Sequence, residues 1–306
     1  MLTNDPDLPA SVDELERLLA RHGYIADAGL CTVLFLSLKL SRPVLLEGEA
    51  GVGKTEVGKV LARVFGRKLI RLQCYDGLEL SQAAYEWDYA RQFLAIRFAE
   101  AMGEKDRDAL ARELFSDKYL IRRPLLQALA PHPEGPPVLL LDEVDRADEP
   151  FDAYLLEVLS DFQMTVPELG VVAAQRPPIC LLTSNRTREI HDALKRRCLY
   201  HFLGYPSLER ELAIVAAKMP GTEPRLAGQM VRLVQKLRQL DLHKPPGVAE
   251  TLDWIAALVA LHVGAVDQPT AEATLGVAVK YQDDVALLKN GLLAQVFAQA
   301  VGETPR

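Results

Sequence analysis

Apolar positions along this chain switch between helical spacing and short unbroken runs, and that alternation sets the expected architecture. Ser11 followed by Glu14 resembles a capping box and predicts a helix over Val12–Arg21, ended by Gly23. A second apolar helix is expected from about Ala26 to Lys39, and "RPVLLEG" then reads as a short buried strand. After a glycine-rich loop, Val57, Val60, Leu61, Val64 and Phe65 share one helical face, with Gly66 suited to the C-terminal cap. "KLIRLQC" is the next strand.

Residues 77–130 are less regular. Tyr85, Trp87 and Tyr89 alternate in "YEWDYARQFLAIR", as in a short strand or hairpin, and "RPLLQALAP" reads as helical. "PEGPPVLLLDE" combines loop punctuation with the apolar run of a strand buried on both faces. Phe151, Tyr154, Leu155, Val158, Leu159 and Phe162 mark an amphipathic helix, "MTVPELGVVAA" a hairpin around Pro167–Gly170, and "PICLLTSN" another buried strand with a polar end.

Strands and helices alternate through about residue 205, which predicts a three-layer α/β core with a parallel sheet. After "HFLGYPS" the strand signals stop. Leu226, Met230, Leu233, Val234 and Leu237 share a helical face, Pro245, Pro246 and Gly247 interrupt, and further helices run past Trp254 and Leu287 to Phe297. The boundary is placed near Pro206, giving an α/β core over 1–205 and an all-α domain over 206–306, with the tail 302–306 expected to be loose.

Bulk properties narrow the class. At 306 residues the chain is long enough for one large domain or two ordinary ones, and a net charge of −7 disfavours a generic nucleic-acid binder. Cys31, Cys74, Cys180 and Cys198 form no CxxC and no zinc spacing, so they read as reduced structural cysteines. The start "MLTNDPDLPA" has no leader pattern, and the most apolar run, Ala28–Leu38, is too short for a bilayer span. A cytoplasmic protein without membrane insertion is expected.

The chemistry concentrates in four places. "GEAGVGKT", Gly48–Thr55, fits GxxxxGK[ST] between a strand and a helix, the context in which backbone N–H groups and a helix N-terminus cradle phosphates. Gly48, Glu49, Ala50, Gly51, Val52, Gly53, Lys54, Thr55 and Glu56 are therefore candidate phosphate contacts, with Lys54 reaching the β- and γ-phosphates and the Thr55 hydroxyl binding Mg²⁺. In "VLLLDE", Asp142 is the expected metal residue and Glu143 the base for an attacking water, a pair that favours hydrolysis over transfer to a hydroxyl. Asn185, ending "LLTSN", is placed to orient that water, although asparagine also commonly just ends a strand. Arg196 and Arg197 in "HDALKRRC" suit either charge stabilisation in a neighbouring subunit's site or a solvated basic helix end. No NKxD for guanine recognition occurs, which counts against a GTPase.

In this order the P-loop, the DE strand end, the strand-terminal Asn, the paired arginines and the helical region resemble the AAA+ ATPases. "DEVDRADEPFDAYLLEVLSDFQMTV" resembles the MoxR branch, and "QCYDGLELSQAAYEWDYARQFLAIR" the CoxD-like subgroup associated with carbon monoxide dehydrogenase maturation. The resemblance implies that Lys54 and Thr55 are the Walker A pair, Asp142 and Glu143 the Walker B pair, and Asn185 sensor 1. It implies Arg197, with Arg196 beside it, as the trans-acting finger, and Gly23, Tyr24 and Ile25 as the lining of the adenine pocket. Residues near 77–100 would be the helix-2 insertion and those near 163–174 the pre-sensor hairpin, both facing a client. It further implies ATP and Mg²⁺ as cofactors, a ring oligomer of hexamer type, a von Willebrand A domain partner and a metalloenzyme client. A nucleic-acid motor is the competing reading, and a small-molecule kinase or GTPase a weaker third. One departure stands out: where the family's lid carries a sensor-2 arginine, "PPGVAETLDW" offers Glu250 and Thr251. Either the lid senses nucleotide differently or another cation such as Lys244 substitutes, with Glu250 pointing elsewhere.

Overall fold

The computed structural model describes residues 8–103 and 106–302. The chain divides into two compact units: one comprises Ala28–Glu47 and Thr55–Phe202 with the described residues before Glu16, the other Glu16–Asp27, Gly48–Lys54 and the chain from Leu203 onward.

The first unit is built on a sheet. In chain order its elements are α1 (Val12–Arg21, passing into the second unit), α2 (Ala28–Leu40), β1 (Val44–Glu47), α3 (Lys54–Val64), β2 (Leu69–Gln73), α4 (Leu80–Ala83), β3 (Tyr85–Trp87), α5 (Tyr89–Met102), α6 (Arg107–Leu114), β4 (Leu120–Arg122), α7 (Pro124–Leu129), β5 (Val138–Asp142), α8 (Glu149–Asp161), β6 (Gln163–Val166), β7 (Gly170–Ala173), β8 (Ile179–Ser184), α9 (Asp192–Arg197) and β9 (Leu199–Phe202). Five of the strands form a parallel sheet in the order β2-β5-β8-β1-β9.

Strand parity builds the two faces of this sheet. Register aligns Ile70 with Leu139 and Leu139 with Cys180, then Leu72 with Leu141 and Leu141 with Leu182, so these side chains share one face. They join α7's Leu125, Leu126 and Leu129 and α8's Leu155, Val158 and Leu159 in one core. The opposite face carries Leu140 and Leu181, against which α3 lies so closely that a Cβ on Gly58 would stand 3.2 Å from Leu140 Cδ2. With both faces covered, β5 and β8 are buried end to end, as their unbroken apolar runs require. The carboxyl ends of β1, β5 and β8 therefore emerge together at one edge of the sheet, where open α/β sheets bind ligands.

Local signals explain most boundaries. At α1, Ser11 Oγ accepts the Glu14 N–H at 3.1 Å, while Glu14 Oε2 reaches back one residue further than a capping box requires, to the Ala10 N–H at 2.7 Å. The alternating aromatics are only half a strand: β3 holds Tyr85 and Trp87 and pairs antiparallel with β4, but Tyr89 opens the 14-residue helix α5. Asp88 decides this, since its carboxylate accepts the Arg91 N–H and caps the helix. The expected hairpin is β6–β7.

The second unit adds α10 (Leu208–Lys218), α11 (Pro224–Leu237), α12 (Val248–Ala260), α13 (Gln268–Thr274), α14 (Gln282–Leu287) and α15 (Leu293–Gly302). Its core gathers Leu226, Met230, Leu233, Val234 and Leu237 of α11 around the fully buried Trp254 and Leu288. Inside it lies an ionic network: Arg238 donates a fork to Glu211 (Nη1–Oε2 2.6 Å, Nη2–Oε1 2.8 Å), and Thr251 donates to Glu211 Oε1 at 2.7 Å. The expected loose tail beyond Gly302 lies outside the described residues. Among the described residues no helix is long and apolar enough to cross a membrane.

Candidate functional site

Two carboxylates end β5, and the structure surrounds each with donors. Asp142 is buried, and its Oδ1 accepts the hydroxyls of Thr55 at 2.9 Å and Thr183 at 2.6 Å. Its Oδ2 takes a fork from Arg71, with Nε at 3.0 Å and Nη2 at 2.5 Å. The next residue, Glu143, adopts a left-handed backbone (φ 57°, ψ 51°). Such a conformation is unfavourable for a residue with a Cβ and persists where surroundings enforce it. Here the Glu143 N–H donates to Thr183 Oγ1 at 2.9 Å, so one buried hydroxyl ties both acidic residues to β8. The turn brings the Glu143 carboxylate to Gln73 Nε2 (3.0 Å), Asn185 Nδ2 (3.2 Å) and Arg146 Nη1 (3.1 Å).

Asn185 is itself clamped. Buried Asp145 accepts its backbone N–H at 3.2 Å together with the N–H and hydroxyl of Thr187 at 2.8 and 2.7 Å. This carboxylate staples the turn after β5 to the turn after β8, which brings Asn185 and Glu143 together. Asp152 of α8 performs a similar service further along, holding Arg188 bidentately and accepting the His191 N–H.

Behind the cluster, Cys74 donates its N–H to the Asp142 carbonyl at 2.8 Å. Burial, and then the negative charges of Asp142, Asp152, Asp145 and Glu143, push its thiol up to about 12. It stays protonated and is no nucleophile.

Arg196 and Arg197 end α9 with exposed side chains. Arg42 caps that helix end, its Nη2 donating to the carbonyls of Arg196 (2.9 Å) and Arg197 (3.2 Å). Arg197 Nε donates to Ser160 Oγ at 2.8 Å. Arg71 and Arg146 are arginines that donate to the carboxylate cluster.

Within the second unit, Gly48–Lys54 wraps around the Lys54 ammonium, which donates to the carbonyls of Gly48 and Glu49 at 2.7 Å each. Gly51 and Gly53 take positive φ (77° and 98°), turns that suit a phosphate cradle. Two of its glycines leave no room for a side chain. A Cβ on Gly48 would stand 2.1 Å from the Leu203 carbonyl, and one on Gly51 2.6 Å from Glu250 Oε2. Tyr24 is buried beside this loop, its ring edge 4.0 Å from where a Gly53 Cβ would be, while the Ile25 carbonyl accepts Arg210 Nε at 3.1 Å. Val52 is buried and Ala50 half-buried. Glu56, just inside α3, pairs its carboxylate with Arg63 at 2.9 Å, so an anion at the helix start would meet its backbone N–H rather than its side chain.

The sequence expectation for Glu250 needs correction. Its carboxylate does not turn away from the P-loop: Oε2 caps α12 by accepting the Gly247 N–H at 2.9 Å and lies against Gly51, whose carbonyl accepts the Ala249 N–H at 3.1 Å. A cation does stand beside Thr251. That place belongs to Arg238, Nη2 at 3.3 Å from the Thr251 hydroxyl and the guanidinium 4.6 Å from the Tyr205 ring centroid.

Sequence reasoning missed Arg71, Gln73, Arg146 and Thr183. A signal for the first two was present: in "LIRLQ" the apolar Ile70 and Leu72 alternate with Arg71 and Gln73, which puts both polar side chains on the same side of a strand. Only pairing with β5, Gln73 opposite Asp142, shows what they meet.

A family model described as AAA domain (dynein-related subfamily) matches residues 43–198. No curated protein sequence matches. Among solved structures, a point mutant of RuvB from Thermotoga maritima is 14% identical, covering 96% of this chain and 86% of that one, with a TM-score of 0.48, too low to argue from.

Proposed function

Because this chain belongs to the AAA domain family, dynein-related subfamily, by a match over residues 43–198, we propose that it is an ATP-hydrolysing motor of the MoxR type that remodels or matures a client protein. The observation that carries the hydrolytic reading is the pair of adjacent carboxylates with different partners: Asp142 with the Thr55 hydroxyl, Glu143 with the Asn185 amide.

The donor set fits a magnesium–nucleotide complex. Thr55 and Asp142 present a hydroxyl and a carboxylate 2.9 Å apart, hard oxygen donors of the kind Mg²⁺ takes directly or through water. Bound there, Mg²⁺ would neutralise developing charge on the phosphates. Gly48–Thr55 and the N–H of Glu56 hold the phosphates, Lys54 supplies a positive charge to them, and Tyr24 and Ile25 border the base. Glu143 accepts the proton of the attacking water, and Asn185 keeps both in line. Arg197, with Arg196 beside it, is the residue offered to a neighbouring subunit. Its exposure and its tether to Ser160 suit a group that serves a site other than its own.

Ring assembly, most simply a hexamer, follows from that reading. So does a client contact through the insertion, where Leu94, Phe98 and Met102 stand exposed along one face of α5, an apolar patch of the kind that marks interaction surfaces. Resemblance to the CoxD-like subgroup points to a metalloenzyme client of the molybdenum carbon monoxide dehydrogenase class and to a von Willebrand A domain partner. Co-purification of the chain with such proteins is the measurement for that finer claim.

The core test is Glu143→Gln. Phosphate release should fall by about 10²–10⁴-fold while binding of a fluorescent ATP analogue persists. Hydrolysis at the wild-type rate would refute Glu143 as base. Sedimentation with ATP and Mg²⁺ should show a ring, and monomers only would refute the assembly.

A further inference from the structure

We propose that Arg71 is a built-in cationic stand-in for the divalent metal at Asp142, a positioning residue that holds the carboxylate oriented until the metal–nucleotide complex claims it. The proposal rests on the assignment of Asp142 to the metal site.

Three observations carry it. First, Asp142 is 2% exposed, at the end of a strand buried along its whole length. A carboxylate so far from water needs partners within the protein for its oxygens. Second, its acceptor capacity is fully used. Oδ1 takes the two threonine hydroxyls, and Oδ2 takes both arms of the Arg71 fork. Any metal, or water held by a metal, that bonds Asp142 has to take the place of one of these donors. Third, the donors differ in freedom. Thr183 is 1% exposed and fixed in β8, whereas the Arg71 side chain is 46% exposed and can turn into solvent. Arg71 is therefore the displaceable partner, and its exchange for a cation is the one that leaves the buried carboxylate compensated. The second contact of Arg71 Nη2, to Gln73 Oε1 at 2.6 Å, gives the guanidinium a resting place on the same strand.

The consequence is a metal-binding equilibrium set by competition. Removing the guanidinium should make Asp142 easier for a cation to claim and, in the metal-free protein, leave a buried charge unpaired. The experiment uses the full chain and titrates Mg²⁺ at a fixed concentration of a fluorescent ATP analogue in wild type, Arg71→Gln, Arg71→Lys and Asp142→Asn. The Mg²⁺ midpoint for nucleotide binding should fall about three- to tenfold in Arg71→Gln, the scale of a half-exposed charge-assisted fork. It should fall less in Arg71→Lys, whose ammonium keeps the charge but not the fork. Thermal unfolding without nucleotide supplies a second readout: Mg²⁺ should raise Tm more in Arg71→Gln than in wild type. A midpoint that is unchanged or raised in the Arg71 variants, while Asp142→Asn loses the Mg²⁺ dependence, overturns the stand-in and spares the metal site. If Asp142→Asn keeps the wild-type midpoint, both fall. Should Arg71→Gln not fold, Arg71→Lys decides alone by the same sign.

Discussion

Thr183 donates its hydroxyl to Asp142 Oδ1 at 2.6 Å and accepts the Glu143 N–H with the same oxygen at 2.9 Å. One side chain on β8 thus orients both acidic residues of the neighbouring strand. Thr183→Val keeps the shape and removes the hydroxyl, leaving a buried N–H without its acceptor and a carboxylate short of one donor. The expected cost is about 1–3 kcal/mol of stability by urea unfolding, together with slower ATP hydrolysis. Unchanged stability and turnover would show that the hydroxyl is dispensable.

Gln73 touches the candidate base from the other side, its amide donating to Glu143 Oε2 at 3.0 Å while its carbonyl receives Arg71. Gln73→Ala removes one of the two donors to Glu143 Oε2 and leaves Arg146 Nη1 as the other. ATP hydrolysis should change several-fold while nucleotide affinity stays within about twofold, on the order of a single exposed hydrogen bond. A change in affinity without a change in turnover would place Gln73 in binding instead.

The P-loop has no room at Gly48. Because an added Cβ would stand 2.1 Å from the Leu203 carbonyl, Gly48→Ala has to displace backbone rather than a flexible side chain. Nucleotide binding, read by fluorescence titration, should be lost or weakened by at least about tenfold, roughly 1.4 kcal/mol. Near-normal affinity would mean that the loop shifts without consequence.

The Glu211–Arg238 pair is buried on both sides, with side-chain exposures of 0% and 5%. Arg238→Met should cost about 3–5 kcal/mol because Glu211 keeps a charge without its partner. Adding Glu211→Leu should recover much of that loss, since desolvation then disappears with the charge. Failure of the double variant to recover stability would show that the network does more than balance charge, for instance by holding Thr251 and the Pro246 carbonyl, both of which Arg238 also contacts.

The buried thiols give the protein a pH-dependent term. Burial pushes Cys74 and Cys198 up to about 12 from an ordinary 9.0, and raises Cys180 as well. In the unfolded chain these thiols ionise as pH passes 9.0, while in the folded chain they remain protonated, so stability falls as pH rises from there towards 12. Replacing Cys74 by serine removes its share. The stability of wild type relative to Cys74→Ser should drop by roughly 1 kcal/mol between about pH 8 and 10, by denaturant midpoints. At about pH 8 the native protein should be slow to react with a thiol reagent at these positions and quick once unfolded.

The amino-acid sequence by itself determined much of this protein. The unbroken runs of β5 and β8 read as strands covered on both faces, the glycine pattern of Gly48–Thr55 as a tight turn into a helix, and Asp142, Glu143 and Asn185 stood at strand ends, where a parallel sheet gathers its chemistry. These are short-range facts, fixed by side-chain period and backbone freedom within a few residues. Long-range pairing decided the rest. Local pattern does not show that β2 lies beside β5, so Arg71 and Gln73 looked like the polar half of a strand until register set them on Asp142 and Glu143. Alternation suggested that the segment around Tyr89 continues a strand, but the cap at Asp88 made it a helix. Glu250 is a further case, its partners not shown by local pattern. The folded chain spends that carboxylate on the open N–H groups at the start of α12, because a helix N-terminus attracts a negative charge from its own sequence first.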